Sequence, residues 1–255
     1  MMTIDEGYVH ELAEKGSRLD GRRLDEFRNA EIETNLIKSA EGSAQVRLGN
    51  TVVIAGVKMS VGEPFEDKPD EGVLMVGAEL TPLADPDFEP GPPDIRSIEV
   101  ARVVDRTVRE SKMINVKALK IDDEHVWVVN VDLHVMNFDG NLIDAGSLAA
   151  VAALATAKMP KYENGKVNYD ERSGSLPITA MPVSVTTVKI NGKLLVDPSK
   201  REENAADARL TVSVKNDGNI CSLQKGGTEG FTTEELHEML RLAGEKQKSL
   251  RDSLK

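Results

Sequence analysis

VWVVNVDLHVMNFDGNLIDAGSLAAVAALATAK, residues 126–158, carries the strongest pattern in the chain. Over residues 126–136, Trp127, Val129, Val131, Leu133 and Val135 alternate with Asn130, Asp132 and His134. A pleated strand puts the first set on one face and the second on the other, so the spacing predicts a half-buried strand. Asp139-Gly140-Asn141 breaks it. Residues 144–158 then offer Ala, Gly, Ser, Leu and Val with almost no charge, ending before Pro160. A helix this apolar all round is buried on most sides, and its small residues let neighbours approach closely. Its place is between two layers.

Upstream, residues 31–37, 44–48, 51–61 and 73–80 read as strands, with Gly49-Asn50 as a hairpin turn. Four prolines make residues 85–94 an irregular loop, and residues 95–114 show a helical period. Residues 4–14 have loose helical spacing through Tyr8 and Leu12, predicting weak packing, and a turn-rich charged segment follows at 17–23. Downstream, residues 161–175 are polar and rich in Gly and Asn, either an inter-domain connection or a surface excursion. Strands follow at 183–190 and 193–196 around Asn191-Gly192, then at 208–214 and 220–224 around 216–219. Thr232 or Thr233 caps a last helix, with Glu234 and Glu235 in its first turn and Leu236, Met239, Leu240 and Ala243 as its stripe. Strands followed by helices, twice over, predict an α+β fold of two β-sheet sub-domains with helices packed between and around them. The boundaries expected are an N-terminal helical extension at 1–17, sub-domains at 18–160 and 177–255, and a connection at 161–176.

The 255 residues are 40% hydrophobic and 29% charged, which argues against a disordered chain. Lys plus Arg total 32 against 43 Asp plus Glu, a formal charge of −11. Bulk attraction for nucleic acid is thereby excluded, so any such binding needs a local basic patch. The single Cys221 rules out an internal disulfide and suits a reducing cytoplasm. No apolar run approaches a membrane span, and residues 1–16 lack a signal-peptide pattern, so a cytoplasmic protein without membrane contact is expected.

Within residues 95–114, Val100, Val103, Val104, Thr107 and Val108 fall on one side of the helix, with Arg102, Arg106 and Arg109 on the other. Glu99, Asp105 and Glu110 flank the arginines. The plainer reading is a solvated face laced with ion pairs. The other is a row of guanidinium groups tracking phosphates. Glu202-Glu203, with Asp197 and Asp207 nearby, has the donors for a metal ion, but Lys200, Arg201 and Arg209 lie among them, which predicts a compensated surface loop. Residues 226–230, Gly-Gly-Thr-Glu-Gly, lack the Lys-Ser/Thr of a P-loop and read as a flexible joint. His10, His125, His134 and His237 give no pair at metal spacing, and no metal or other cofactor is expected.

Arg18-Leu19-Asp20-Gly21-Arg22-Arg23, Glu41-Gly42-Ser43-Ala44, Ala101-Arg102-Val103-Val104-Asp105-Arg106, Asp139-Gly140-Asn141-Leu142-Ile143-Asp144-Ala145 and Gln224-Lys225-Gly226-Gly227-Thr228 occur in one order along nearly the whole chain. In that order they resemble the RNase PH family, and most of all its non-catalytic ring subunits in the archaeal exosome. The resemblance implies an RNase PH-type fold. It further implies a hexameric ring in which three copies alternate with three of a catalytic RNase PH-like partner, with RNA-binding cap proteins. Such a ring shortens RNA from the 3′ end by phosphorolysis.

Active members of the family carry Asp-Gly-Gly-Thr-Arg, whose last residues hold the attacking phosphate, where this chain reads Asp139-Gly140-Asn141-Leu142-Ile143. Leu142 lacks the hydroxyl, Ile143 lacks the cation, and Asp144 adds an anion, so a phosphate loses charge-assisted bonds and meets repulsion. Active relatives also place an acid about six residues after an acidic pair, where this chain has Arg209. A guanidinium neither delivers a proton at neutral pH nor binds a cation. The resemblance therefore implies no catalytic residues in this chain. It assigns RNA contact to Arg102 and Arg106, with Arg109 on the same stripe by spacing alone.

Overall fold

The computed structural model describes residues 4–254. After α1 (Ile4–Glu14), the strands β1 (Ala30–Thr34), β2 (Gly42–Leu48), β3 (Thr51–Gly62), β4 (Val73–Leu80) and β5 (Val126–Asn137) build a sheet in the order β1-β2-β3-β5-β4. Every pairing is antiparallel except β4 with β5. A parallel neighbour needs a long crossover, and the segment between β4 and β5 supplies it, containing α2 (Ile95–Glu110). β5 buries Trp127, Val129, Val131, Leu133 and Val135 and turns Asp132 and His134 to solvent, as its alternation dictates.

α3 (Leu142–Thr156) is buried from Leu142 through Leu154. It packs on β2 and β3 on one side and on β8 (Val183–Ile190) on the other. Gly42 of β2 makes the close approach possible, because a Cβ there would lie 2.2 Å from the Ala153 carbonyl oxygen. β8, β9 (Lys193–Val196), β10 (Ala208–Val214) and β11 (Ile220–Gly227) form the second sheet, antiparallel throughout, in the order β11-β10-β8-β9. One continuous core joins Val53 and Val57 of β3, the apolar faces of α2 and α3, and Val183, Val185 and Val212 of the second sheet. The final helix α5 (Thr233–Asp252) starts at a Thr232–Glu235 capping box and buries Met239 and Ala243.

Several local expectations need correction. Of the two readings of residues 161–175, the surface excursion describes the structure, but it is a regular antiparallel hairpin, β6 (Lys158–Glu163) and β7 (Lys166–Ser175). Pro160 sits inside β6, and the register shifts on either side of it, since proline has no N–H for the ladder. α2 stops at Glu110 because Lys112 turns left-handed at φ +56°. α1 packs through Val9 and Ala13 against Val188, Ile190, Leu195 and Ala205, and leaves Tyr8 exposed. Gly226 and Gly227 end β11 and are not a free joint. Among the described residues no helix is long and apolar enough to cross a membrane.

Candidate nucleic-acid interface and a closed anion site

α2 begins at Asp94, whose carboxylate accepts the Ser97 N–H at 2.8 Å. Its inner face is fixed by burial of Val100, Val103, Val104 and Val108, and by Thr107, whose Oγ1 lies 2.8 Å from Ser213 Oγ on β10. That docking leaves the arginines outside, where they divide into two kinds. Arg109 is held, 2.6 Å from Asp105 Oδ1 and donating to the Leu74 carbonyl at 2.9 Å. Arg102 and Arg106 are exposed, and their guanidinium groups make no hydrogen bond or ion pair among the described residues. Of the two other acids beside the stripe, Glu99 is taken by Arg209 of β10, and Glu110 adds to the field that raises Arg109. The ion-paired face therefore describes Arg109 and fails for Arg102 and Arg106, which keep their full charge for an outside anion.

The amino end of α3 is arranged in the opposite sense. Gly140 adopts φ +84°, and a Cβ there would lie 2.4 Å from the Ser199 carbonyl carbon, so the chain before α4 (Lys200–Asn204) presses directly on this turn. Asn141 follows in the left-handed region at φ +56° and is buried. Its backbone N–H donates to Glu203 Oε1 at 2.8 Å, and its Nδ2 donates to Asp144 Oδ2 at 2.9 Å and Asp197 Oδ1 at 2.7 Å. Asp144 also accepts the Thr186 N–H and hydroxyl, each at 2.8 Å. A helix amino terminus is where an anion would bind. Here the protein's own carboxylates occupy that place, and Leu142 and Ile143 point into the core.

The electrostatics follow from burial. Asp144 is pushed up to about 7 by desolvation, against the pull of its Asn141 and Thr186 hydrogen bonds. Glu203 is likewise raised to about 7 by burial, opposed by the Asn141 N–H and the Arg209 and Arg28 charges. Asp197 is buried too, yet it is held below the usual carboxylate range by Arg28, which grips it at 2.7 and 2.9 Å, with help from Asn141.

The acids at 197–207 are not the compensated surface loop their charge pattern predicts. Ser199 and Glu202 form a capping box on α4, and Glu202 is buried in a fork with Arg18, whose Nε and Nη2 donate to its two oxygens at 2.8 and 2.6 Å. Arg18 also binds the carbonyls of Val196 and Asp197 at 2.9 and 2.8 Å. Lys200 does not neutralise these acids, reaching instead to Asp85 at 2.6 Å and Asp87 at 2.9 Å. Arg18 and Arg28 are the organising residues that sequence reasoning left without a role. The only signal for Arg18 was its place in the Arg18–Arg23 run, and Arg28 had none. Beside this cluster a cavity of about 310 Å³ is lined by Arg96, Glu99, Glu203 and Arg209 among others, with Glu99 and Arg209 already paired to each other. Among the described residues no three His, Cys, Asp or Glu side chains gather to hold a metal ion.

Two sheets clasped on one buried helix, with an arginine-striped helix alongside, form the two-part architecture of 3′ exoribonucleases. Residues 26–160 match domain 1 of the 3′ exoribonuclease family and residues 180–246 match domain 2. The chain belongs to this family, the RNase PH family. It is 47% identical over 250 residues to the exosome complex component Rrp42 of Methanosarcina acetivorans, covering 98% of this chain and 92% of that one. Among solved structures it superimposes on a chain of the Archaeoglobus fulgidus exosome with RNA bound to the active site, with a TM-score of 0.93, 45% identity and coverage of 99% and 98%. A chain of an archaeal exosome core matches with a TM-score of 0.89, 42% identity and coverage of 98% and 96%.

Proposed function

We propose that this chain is a non-catalytic, RNA-binding ring subunit of an archaeal exosome. In this reading three copies alternate with three of a catalytic RNase PH-like partner, and cap proteins bind the ring. The complex shortens RNA from its 3′ end by phosphorolysis in the cytoplasm. The observation that carries the reading is the contrast between the amino end of α3 and the outer face of α2. The amino end of α3 is closed by Glu203 on the Asn141 N–H and by Asp144 on the Asn141 side chain, while Arg102 and Arg106 on α2 have no partner among the described residues. The first feature disfavours phosphate in this subunit, and the second favours a polyanion beside it.

The division of labour follows. The partner holds and delivers the attacking phosphate, and Arg102 and Arg106 bind backbone phosphates of the transcript and keep its end aimed at that site. Leu83, Ile95 and Ile98, exposed around the amino end of α2, give a neighbouring subunit apolar surface to cover. The deciding experiment is co-expression with a catalytic homologue, followed by a phosphate-dependent RNA-shortening assay on each chain alone and on the mixture. The reading expects no activity from this chain alone, a mixed hexamer, and activity in the mixture that depends on Arg102 and Arg106. Activity of this chain alone that is lost in Glu203→Ala would instead identify it as an enzyme. Unchanged RNA affinity in Arg102→Ala/Arg106→Ala would leave a scaffold without RNA contact.

A further inference from the structure

Beyond the carboxyl end of the arginine stripe the surface opens into a cavity of about 780 Å³, enclosed by α2, the start of β4 and the loop between β3 and β4. Arg109 lines it. Arg102 stands about 10 Å from Arg109 along the helix at 1.5 Å per residue, so the stripe leads to the cavity mouth. The floor is apolar, made by the buried residues Val73, Leu74, Val108 and Ile114.

The rim is cationic in a chain that is acidic overall. Lys68, Arg109, Lys112 and Lys117 line the cavity against Asp67 and Glu71. Arg109 is held by Asp105, and Lys68 pairs with Glu71 at 3.6 Å. The ammonium groups of Lys112 and Lys117 make no hydrogen bond or ion pair among the described residues; Lys117 lies close enough to help lower Asp70, which Lys120 already binds at 2.6 Å, and Asp67 is the remaining carboxylate of the lining. At the mouth stands Phe65, 55% exposed in a chain whose aromatic content is only 4%. A turn fixes it there, with the Lys68 N–H donating to the Phe65 carbonyl at 2.9 Å. A flat apolar face beside unpaired cations is the pairing that holds a stacked base and its phosphates. An acidic peptide would also suit the lysines, but the continuity with Arg102 and Arg106 favours RNA.

We propose that this cavity is a second RNA subsite, in which Phe65 stacks a nucleobase and Lys112 and Lys117 bind flanking phosphates of a strand whose end lies along Arg102 and Arg106. The proposal rests on the RNA-binding reading above, and its test separates the two. The complex co-expressed with a catalytic partner is titrated with a short oligoadenylate spanning only the reaction end and with one of about 12 nucleotides. Phe65→Ala is expected to weaken the longer strand about 10-fold and leave the short one unchanged, whereas Phe65→Trp keeps wild-type affinity. An abasic nucleotide at the stacked position should cost the same and add nothing in Phe65→Ala. Lys112→Ala/Lys117→Ala should reduce the salt slope of the longer strand by about 1 to 2. Unchanged affinity for the longer strand in both variants, while Arg102→Ala/Arg106→Ala still weakens both strands, overturns the subsite and leaves the RNA-binding reading intact. The same overturning follows if the cavity variants change binding of a partner protein and not of RNA.

Discussion

The backbone N–H of Asn141 at the amino end of α3 donates to Glu203 on α4 across 2.8 Å, although the two residues are 62 positions apart. An amide at a helix start is a ready donor for an external anion, and here it is satisfied within the chain. Glu203 takes the place of a bound phosphate and is also a barrier to one. The consequences are measurable.

Stability should fall as pH rises from about 5 to about 8. Asp144 and Glu203 titrate near 7 in the folded chain and near 4 when unfolded, so the folded state binds more protons between those values. The stabilisation is complete below the unfolded values and is lost as pH rises through the folded ones. Glu203→Gln keeps an acceptor for Asn141 and removes the buried charge. It should therefore gain on the order of 1 kcal/mol at pH 8 and little at pH 5, measured by urea unfolding at both pH values.

Asp197 acts in the other direction. Its folded titration is depressed, so its stabilising effect is present above about pH 4 and lost on acidification below its unfolded value. Asp197→Asn should flatten the acid limb of the stability profile, and its cost at pH 7 should come from the weakened Arg28 fork.

Arg18→Ala should destabilise the chain by about 3–5 kcal/mol, because it strands the buried Glu202 carboxylate. Replacing both partners with Met should cost much less than the single change. Chemical denaturation of the two variants beside the unaltered chain checks this, and equal losses for the single and double variants would contradict it.

Arg102→Ala/Arg106→Ala should leave the melting temperature unchanged, since neither guanidinium has a partner among the described residues. It should weaken RNA binding by the assembled complex and lower the salt slope by about 2. Arg109→Ala should reverse the ranking, losing some stability with its Asp105 and Leu74 contacts and affecting a short RNA less.

Gly140→Ala should cost about 1–3 kcal/mol, because the residue adopts a left-handed φ and an added Cβ meets the Ser199 backbone. Thermal unfolding measures the loss.

The sequence alone determined most of the elements and their layering, but not β6, β7 or α4. The alternation from Trp127 to Val135 marked β5, the charge-free run after Asp144 marked a helix between layers, and Asn191-Gly192 marked a hairpin. Each of these signals is a repeat between near neighbours, which the local geometry of a strand, helix or turn converts directly into a buried face. The arginine stripe was legible for the same reason, but its state was not. Whether Arg102, Arg106 or Arg109 finds an acid depends on rotamers and on Arg209 arriving from β10 to claim Glu99. Tertiary structure alone decided that Glu202 and Asp197 are buried partners of Arg18 and Arg28, and that Glu203 closes α3. Those pairs join residues from 62 to 184 positions apart. Their charges balance only when both sheets close on the same helix, and no local period in the chain encodes that meeting.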